Sequence, residues 1–237
     1  MPKQLQTYKI TTLTGLALVV ANMIGTGAFT SLGFQLKDLS NPTVVLMLWV
    51  LGGVIALSGA FSYAEIGTHI TRSGGEYAFL TRLFHPLIGY LSGWISITVG
   101  FAAPIALSAM AFVAYFPFFD LNPKWTSIAI VAIITFIHTR NLNVSSKFQN
   151  ISTFFKVVLI IALIGIGVWL EPTFNNSGFL TNSDYSNLIS PAFAVALIYV
   201  SYSYSGWNAA AYITEEFKNP KKSLPIALIG GTLLVTL

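Results

Sequence analysis

The sequence predicts an all-α integral membrane protein, and two observations indicate this fold class. Only 8% of the 237 residues are charged and 54% are hydrophobic, whereas a soluble globular domain carries about a quarter charged residues. Six apolar segments are also long enough, or nearly so, to cross a bilayer, which takes roughly 20 helical residues. We expect one transmembrane domain over residues 1–237.

The predicted spans cover residues 12–35, 43–66, 86–116, 125–140, 149–170 and 190–213. The first segment has no small-residue cleavage site before a polar region, so we expect it to be retained rather than removed as a signal peptide. A seventh apolar segment begins near Leu224 and reaches Leu237 after about 14 residues, too few to cross a bilayer. This pattern predicts the front part of a longer protein, truncated within helix 7.

The basic residues predict the orientation of the spans. Nine of them fall at one set of helix ends or loops: Lys3, Lys9, Arg72, Arg82, Arg140, Lys147, Lys218, Lys221 and Lys222. Only Lys37 and Lys124 lie on the other side. Because cytoplasmic connections carry the excess of Lys and Arg, the N-terminus is expected in the cytoplasm of a multi-pass protein of the inner (cytoplasmic) membrane. The net charge of +4 is then a topology signal, and no nucleic-acid partner is predicted.

The residue types for catalysis or metal binding are scarce. The sequence has no cysteine, and its three histidines are scattered along the chain: His69, His85 and His138. Neither a disulfide, a thiol nucleophile nor a metal site is therefore predicted. A serine nucleophile at Ser205 would need a base, and no histidine follows position 138. We expect no enzyme, no catalytic residue and no cofactor.

The first span contains an unusual stretch, NMIGTGAFTS, at residues 22–31. Gly25 and Gly27 surround the β-branched Thr26 in the middle of the apolar run, and this combination favours local unwinding of a helix. Unwound backbone is tolerated at membrane depth only where it contacts protein or lines a water-filled cavity. The stretch is therefore either a seam of close helix packing or a binding site.

A faint internal repeat at an offset of 178 residues supports the second interpretation. Two pairs match at this offset: Asn41–Pro42 with Asn219–Pro220, and Gly52–Gly53 with Gly230–Gly231. The same shift carries Gly25–Gly27 onto Ser203–Ser205, inside a second interrupted apolar span. The first repeat would cover about 12–170 and the second would start near 190, in the opposite orientation. Paired interrupted helices in two inverted halves indicate a transporter binding site.

Two unwound helices offer complementary chemistry. N–H groups near Thr26 and Gly27 would favour a carboxylate, through hydrogen bonds and the helix dipole. Carbonyl groups near Ile24 and over 202–204 would suit an ammonium group. The pair of sites fits a zwitterionic amino acid. The alternative explanation for the glycines is the close packing of small residues between helices.

Aromatic residues flank the second interruption, and a lysine lies within the fifth span. Tyr202 is predicted to cover a bound substrate; an aromatic belt or ordinary packing is the alternative for Tyr202, Tyr204 and Trp207. Lys156 is the one basic residue inside a predicted span, and an intramembrane charge suggests a functional role. Its alternative is snorkelling, since its stem can extend towards the cytoplasmic end of the helix.

Four motifs show a family resemblance: NMIGTGAF, SYAEIGTHITRSGGEYAFL, FQNISTFFKVV and YSYSGWNAAAYITEEFKNPKKSLPIAL. Together they resemble the amino acid–polyamine–organocation superfamily, and they are similar to bacterial permeases related to the L-type amino acid transporters. The resemblance implies an inverted-repeat (5+5) fold with discontinuous helices 1 and 6. It implies a secondary transporter that moves amino acids by alternating access, with lipid and protons as further partners.

The resemblance also implies roles for individual residues. Gly25, Thr26 and Gly27 would receive the substrate carboxylate, and Lys156 would occupy the place of a sodium ion and take part in proton coupling. The amino group would meet the backbone around Ile24, Tyr202, Ser203 and Ser205. Tyr204 and Gly206, in the same interruption, are the other predicted substrate-binding positions. Tyr202 would act as the gate, with Trp207 and Asn208 beside it. Proton symport, exchange and facilitated diffusion all remain open, as does a truncated, non-transporting membrane remnant or assembly subunit.

Overall fold

A computed structural model describes residues 9–39, 41–116, 122–140, 142–170 and 190–237. Lys3 and the predicted external connection at 171–188 lie outside these residues. Among the described residues every regular element is helical, and Ile10 and Phe217 form one isolated parallel bridge. The all-α prediction is therefore confirmed.

Ten α-helices are described: α1 (Thr12–Met23), α2 (Thr26–Asp38), α3 (Pro42–His69), α4 (Glu76–Leu83), α5 (Pro86–Ile95), α6 (Ala103–Tyr115), α7 (Pro123–Arg140), α8 (Leu142–Trp169), α9 (Pro191–Ser203) and α10 (Pro220–Thr236). A π-helical segment, Ser96–Ala102, joins α5 to α6, and a 3₁₀ helix, Ala209–Glu216, precedes α10.

Four helical stretches are long and apolar enough to cross a membrane: Thr12–Lys37, Pro42–His69, Pro86–Tyr115 and Ile151–Trp169. The other two predicted spans correspond to shorter apolar helices, Pro123–Thr139 and Pro191–Ser203. Lengths and composition therefore fit an all-α membrane protein.

Helix starts follow local sequence signals. The Thr11 side chain accepts a hydrogen bond from the Thr14 N–H at the start of α1, and the Ser190 side chain accepts one from Phe193 N–H at the start of α9. Pro42 opens α3, where its missing N–H costs nothing because the first N–H groups of a helix have no intrahelical acceptor. These caps are readable from sequence because they involve neighbours only.

The described residues divide into two compact units, residues 9–85 with 190–237, and residues 86–170. In the first unit α10 packs against α1 and α3, while α9 packs against α2 and α3. Its core includes Leu48, Val200 and Leu228, which are fully buried. Glycines let these helices approach closely, since a methyl group at Gly231 would lie 2.8 Å from the Val19 side chain.

In the second unit α6 packs against α7, and α7 packs against α8. The π-helical segment ends just before Pro104. Proline lacks an N–H and clashes with the carbonyl four residues earlier, so a wider turn at this point relieves the conflict.

The sixth predicted span, 190–213, is not one continuous α-helix. Helix α9 ends at Ser203, residues 204–208 form turns, and the 3₁₀ helix follows. Gly206 has a φ of +99°, a conformation outside the right-handed helix that glycine adopts readily. The helix cannot continue through that residue.

Candidate functional site

The first candidate segment joins α1 to α2. The Ile24 N–H donates to the Val20 carbonyl at 2.9 Å, and the Gly25 N–H donates to the Met23 carbonyl at 2.9 Å. Gly25 itself is extended, and no side chain caps the start of α2 at Thr26. Because the first N–H groups of a helix lack intrahelical acceptors, this end of α2 favours a negatively charged group.

The second candidate segment follows α9. The Tyr204 N–H donates to the carbonyls of Val200 and Tyr202, and the Ser205 N–H donates to the Tyr202 carbonyl at 3.0 Å. The C-terminal end of a helix carries partial negative charge and suits a cation. The Tyr202 carbonyl already accepts two N–H groups, so the other carbonyls of this segment are more available to an ammonium group.

The two segments meet in the first unit. A methyl group placed on Gly27 would lie 2.9 Å from the Ser203 Cα and 3.1 Å from the Tyr202 Cδ1. A methyl group on Gly206 would lie 2.9 Å from the backbone carbonyl carbon of Asn22. Backbone therefore contacts backbone at both positions, which only glycine permits at these distances.

Gly25 has different surroundings from the other two glycines. A methyl group there would meet only the Asn22 carbonyl oxygen, at an ordinary contact distance of 3.6 Å. Ile24, Gly25 and Thr26 are half-buried, and Ser205 is exposed. The open space at this junction therefore lies beside Gly25, while Gly27 belongs to the packed contact with α9.

The side chains of Tyr204 and Trp207 pack into the helices rather than into this space. Tyr204 is 5% exposed, and its ring centroid lies 5.8 Å from that of Trp49. Trp207 makes an edge-to-face contact with Tyr63 at 4.8 Å. A methyl group on Gly59 would lie 2.7 Å from the Trp207 ring. These two aromatic residues fix the turn after α9 against α3, so Tyr204 can contribute only its backbone to binding.

Asn208 holds the turn from its other side. Its Nδ2 donates to the Glu76 carboxylate and to the Tyr212 hydroxyl, the latter at 3.2 Å. The N–H groups of Gly74 and Gly75 donate to carbonyls of the 3₁₀ helix at 3.2 Å each. The loop before α4 and the start of α4 therefore anchor the segment that follows the second interruption.

A buried chain of hydrogen bonds supports the same junction, and sequence reasoning missed it. Trp49 Nε1 donates to Gln35 Oε1 at 2.8 Å, and Gln35 Nε2 lies 3.4 Å from Ser31 Oγ. The Ser31 and Ser203 hydroxyls lie 2.6 Å apart, and Ser203 Oγ donates to the Tyr199 carbonyl at 2.8 Å. Because each hydroxyl has one hydrogen, Ser31 must donate to Ser203.

The sequence does contain a signal for this series of hydrogen bonds. Gly27, Ser31 and Gln35 follow one another at intervals of four residues and therefore share one face of α2. Polar side chains on the glycine face of an apolar helix indicate a packed polar contact. Asn22, which contacts Gly206, offers a similar signal, because it is a polar residue in the last turn of the apolar helix α1.

Lys156 lies in α8, in the second unit, and is half-buried. The residues that the structure describes contain no group of three or more His, Cys, Asp or Glu side chains that could hold a metal ion.

Comparison with known proteins gives consistent matches along the chain. Residues 10–237 match a family model described as amino acid permease. The chain is 32% identical over 232 residues to the human b(0,+)-type amino acid transporter 1. This match covers 94% of this chain and 48% of that protein.

Two further human relatives match over similar lengths. The cystine/glutamate transporter is 30% identical over 240 residues, covering 97% of this chain and 47% of that protein. The Asc-type amino acid transporter 1 is 28% identical over 237 residues, covering 94% and 45%. The chain spans about half the length of these relatives.

Proposed function

Because the chain belongs to the amino acid permease family, within the amino acid–polyamine–organocation superfamily, we propose that the protein is a secondary transporter of amino acids. This membership confirms the resemblance inferred from the four motifs. Three human relatives that match over 94% or more of the chain are amino acid transporters by name, and this supports amino acids as the substrate class. Transport would occur by alternating access across the cytoplasmic membrane, with the N-terminus in the cytoplasm.

We place the substrate between the junction of α1 with α2 and the turn after α9. The observation that carries this proposal is the approach of Gly27 to Ser203, at 2.9 Å for an added methyl group, because it joins two helix interruptions 176 residues apart. Where the N-terminal end of one helix meets the C-terminal end of another, free N–H donors and free carbonyl acceptors lie close together. This is the combination that a zwitterion needs, and it agrees with an inverted-repeat (5+5) fold whose first and sixth helices are discontinuous.

The substrate carboxylate would meet the N-terminal end of α2 beside Gly25, where the open space lies. The ammonium group would meet carbonyls of Ile24 and of the turn after α9, with the Tyr202 carbonyl contributing least because two N–H groups already use it. Tyr202 is half-buried and lies against Gly27. This position supports its proposed role as the gate over the substrate.

Lys156 is the proposed coupling residue. An ionisable group in an apolar helix is costly, and such groups usually mark proton or ion pathways. Its place in α8, a helix whose segment Ile151–Trp169 is long and apolar enough to span a membrane, supports a role for protons in transport.

Counterflow in proteoliposomes tests the proposal. Full-length protein would be reconstituted into vesicles loaded with one unlabelled amino acid at a time, and uptake of the labelled form would be measured. We expect saturable exchange for a subset of amino acids. Absence of exchange for every amino acid, with protein that remains folded, would contradict the transport function.

Gly25→Leu tests the site within the same assay. A leucine side chain would fill the space beside Gly25, so we expect binding and exchange to fall below detection. Gly33→Leu is the matched control, because Gly33 lies on the same helix α2 and a methyl group there would have no atom within 4 Å. Wild-type affinity in Gly25→Leu, or equal losses in both variants, would place the substrate elsewhere.

A further inference from the structure

A basic cavity of about 880 Å³ lies in the first unit, where α3 ends and α4 begins. Its polar lining includes Lys9, His69, Arg72, Tyr77, Arg82 and Glu215. Small-molecule sites usually measure roughly 300–1,000 Å³, so the cavity is large enough for a phosphate together with the group attached to it. It is formed by different residues from the two helix interruptions.

The charges in this cavity are unbalanced. Lys9 Nζ donates to the backbone carbonyl of Glu215 at 2.6 Å, so this contact does not use a carboxylate. Across the described parts of the chain, no carboxylate lies within the 4.0 Å salt-bridge distance of either Arg72 or Arg82. Three cationic side chains therefore face one acidic residue. Two of them are guanidinium groups, whose fixed forks of N–H donors match phosphate oxygens.

The surroundings of the cavity favour an amphiphile over a free anion. His69 is the last residue of α3, one of the helices long and apolar enough to span a membrane, so the cavity lies at the end of a predicted span. Tyr77 and Arg82 line it from α4, and the next residues, Leu83 and Phe84, are 53% and 70% exposed. Apolar side chains beside unpaired arginines suit a molecule that has an anionic head and a hydrocarbon tail.

We propose that this cavity binds the headgroup of an anionic phospholipid. Arg72 and Arg82 would hold the phosphate, Lys9 would add charge at the rim, and the acyl chains would run along Leu83 and Phe84. Positive-inside patterning puts this end of α3 on the cytoplasmic side, the side on which basic cavities between helices meet acidic headgroups. The site is separate from amino acid transport, so lipid binding can fail while the transport proposal stands.

Lipid titration followed by native mass spectrometry tests the proposal. Full-length, delipidated protein would be titrated with dioleoylphosphatidylglycerol, with dioleoylphosphatidylcholine and with sodium phosphate. We expect tighter binding of the phosphatidylglycerol. The variant R72Q/R82Q should weaken that binding about 30-fold, since each Lys or Arg near an anionic lipid contributes about fivefold.

The control variant K218Q/K222Q removes two charges from exposed residues on the same predicted side that do not line the cavity. It should leave the affinity close to that of the wild type. Equal losses in both double variants would show a general charge effect and would overturn the site. Equal binding of the two lipids by the wild type would overturn it as well.

Two further measurements cover the cases in which R72Q/R82Q does not fold or free phosphate binds. If R72Q/R82Q does not fold, R72K/R82K retains the charge but removes the guanidinium forks, and it should bind phosphatidylglycerol several-fold more weakly. Unchanged affinity in that variant would contradict recognition by Arg72 and Arg82. If sodium phosphate binds as tightly as the lipid and displaces it, the cavity is a site for free phosphate and the lipid assignment is wrong.

Discussion

The contact between Ser31 and Ser203 gives the sharpest prediction about the junction of the two helix interruptions. The two hydroxyl oxygens lie 2.6 Å apart, and the residues are 2% and 5% exposed. Ser203→Ala would leave the Ser31 hydroxyl hydrogen without its acceptor in a site that water hardly reaches. Ser31→Ala would leave Ser203 still donating to the Tyr199 carbonyl, and it would remove only the long 3.4 Å contact from Gln35 Nε2. We therefore expect Ser203→Ala to destabilise the protein more than Ser31→Ala does.

The expected size of the free-energy change follows from the environment of the two serines. An unsatisfied buried polar group costs about 1–3 kcal/mol in soluble proteins. Hydrogen bonds between helices in membranes average about 0.6 kcal/mol in double-mutant cycles and reach about 1.7 kcal/mol. The contact is short and both partners are buried, so we expect a coupling of about 1 kcal/mol between the two serines, above that membrane average.

The assay measures the free energy of unfolding of the full-length protein in mixed micelles. It is carried out on both single variants and on the double variant. Ser58→Ala serves as the control, because Ser58 is exposed and its hydroxyl donates only to the Val54 carbonyl of the same helix. It should change stability by less than about 0.5 kcal/mol. Additivity of Ser31→Ala and Ser203→Ala within about 0.3 kcal/mol would refute the reasoning.

Three other predictions concern different parts of the chain. Gly206→Ala should destabilise the protein by about 1–3 kcal/mol in thermal unfolding, because its φ of +99° strains any residue with a Cβ; an unchanged melting temperature would contradict this. Glu76→Ala should speed tryptic cleavage at Arg72 about tenfold, because Asn208 loses the side-chain acceptor that anchors α4; an unchanged rate would show that this contact does not hold the loop. Lys156→Ala should alter the pH dependence of counterflow, and an unaltered profile would identify Lys156 as a snorkelling residue.

Some features of this protein depend on local sequence alone. The membrane class follows from the low charge and the apolar runs, because about 20 apolar residues cross a bilayer as a helix whatever surrounds them. The motifs around Gly25, Lys156 and Tyr202 also lead to the amino acid permease family, which residues 10–237 match. The position of Gly25–Gly27 coincides with the end of α1 and the start of α2, since glycine acts on the backbone where it stands.

Other features are decided only by the tertiary structure. Periodicity places Gly27, Ser31 and Gln35 on one face of α2, but it does not say which helix that face meets. Packing in the first unit brings it against Ser203, 172 residues beyond Ser31. The same packing gives two glycines two residues apart different surroundings, with space beside Gly25 and backbone contact at Gly27.

Packing also turns the Tyr204 ring into the core, although its sequence position resembles that of Tyr202. Sequence spacing determines which residues share a face of one helix. The choice of partner for each face depends on contacts between distant segments, and only the folded chain determines those.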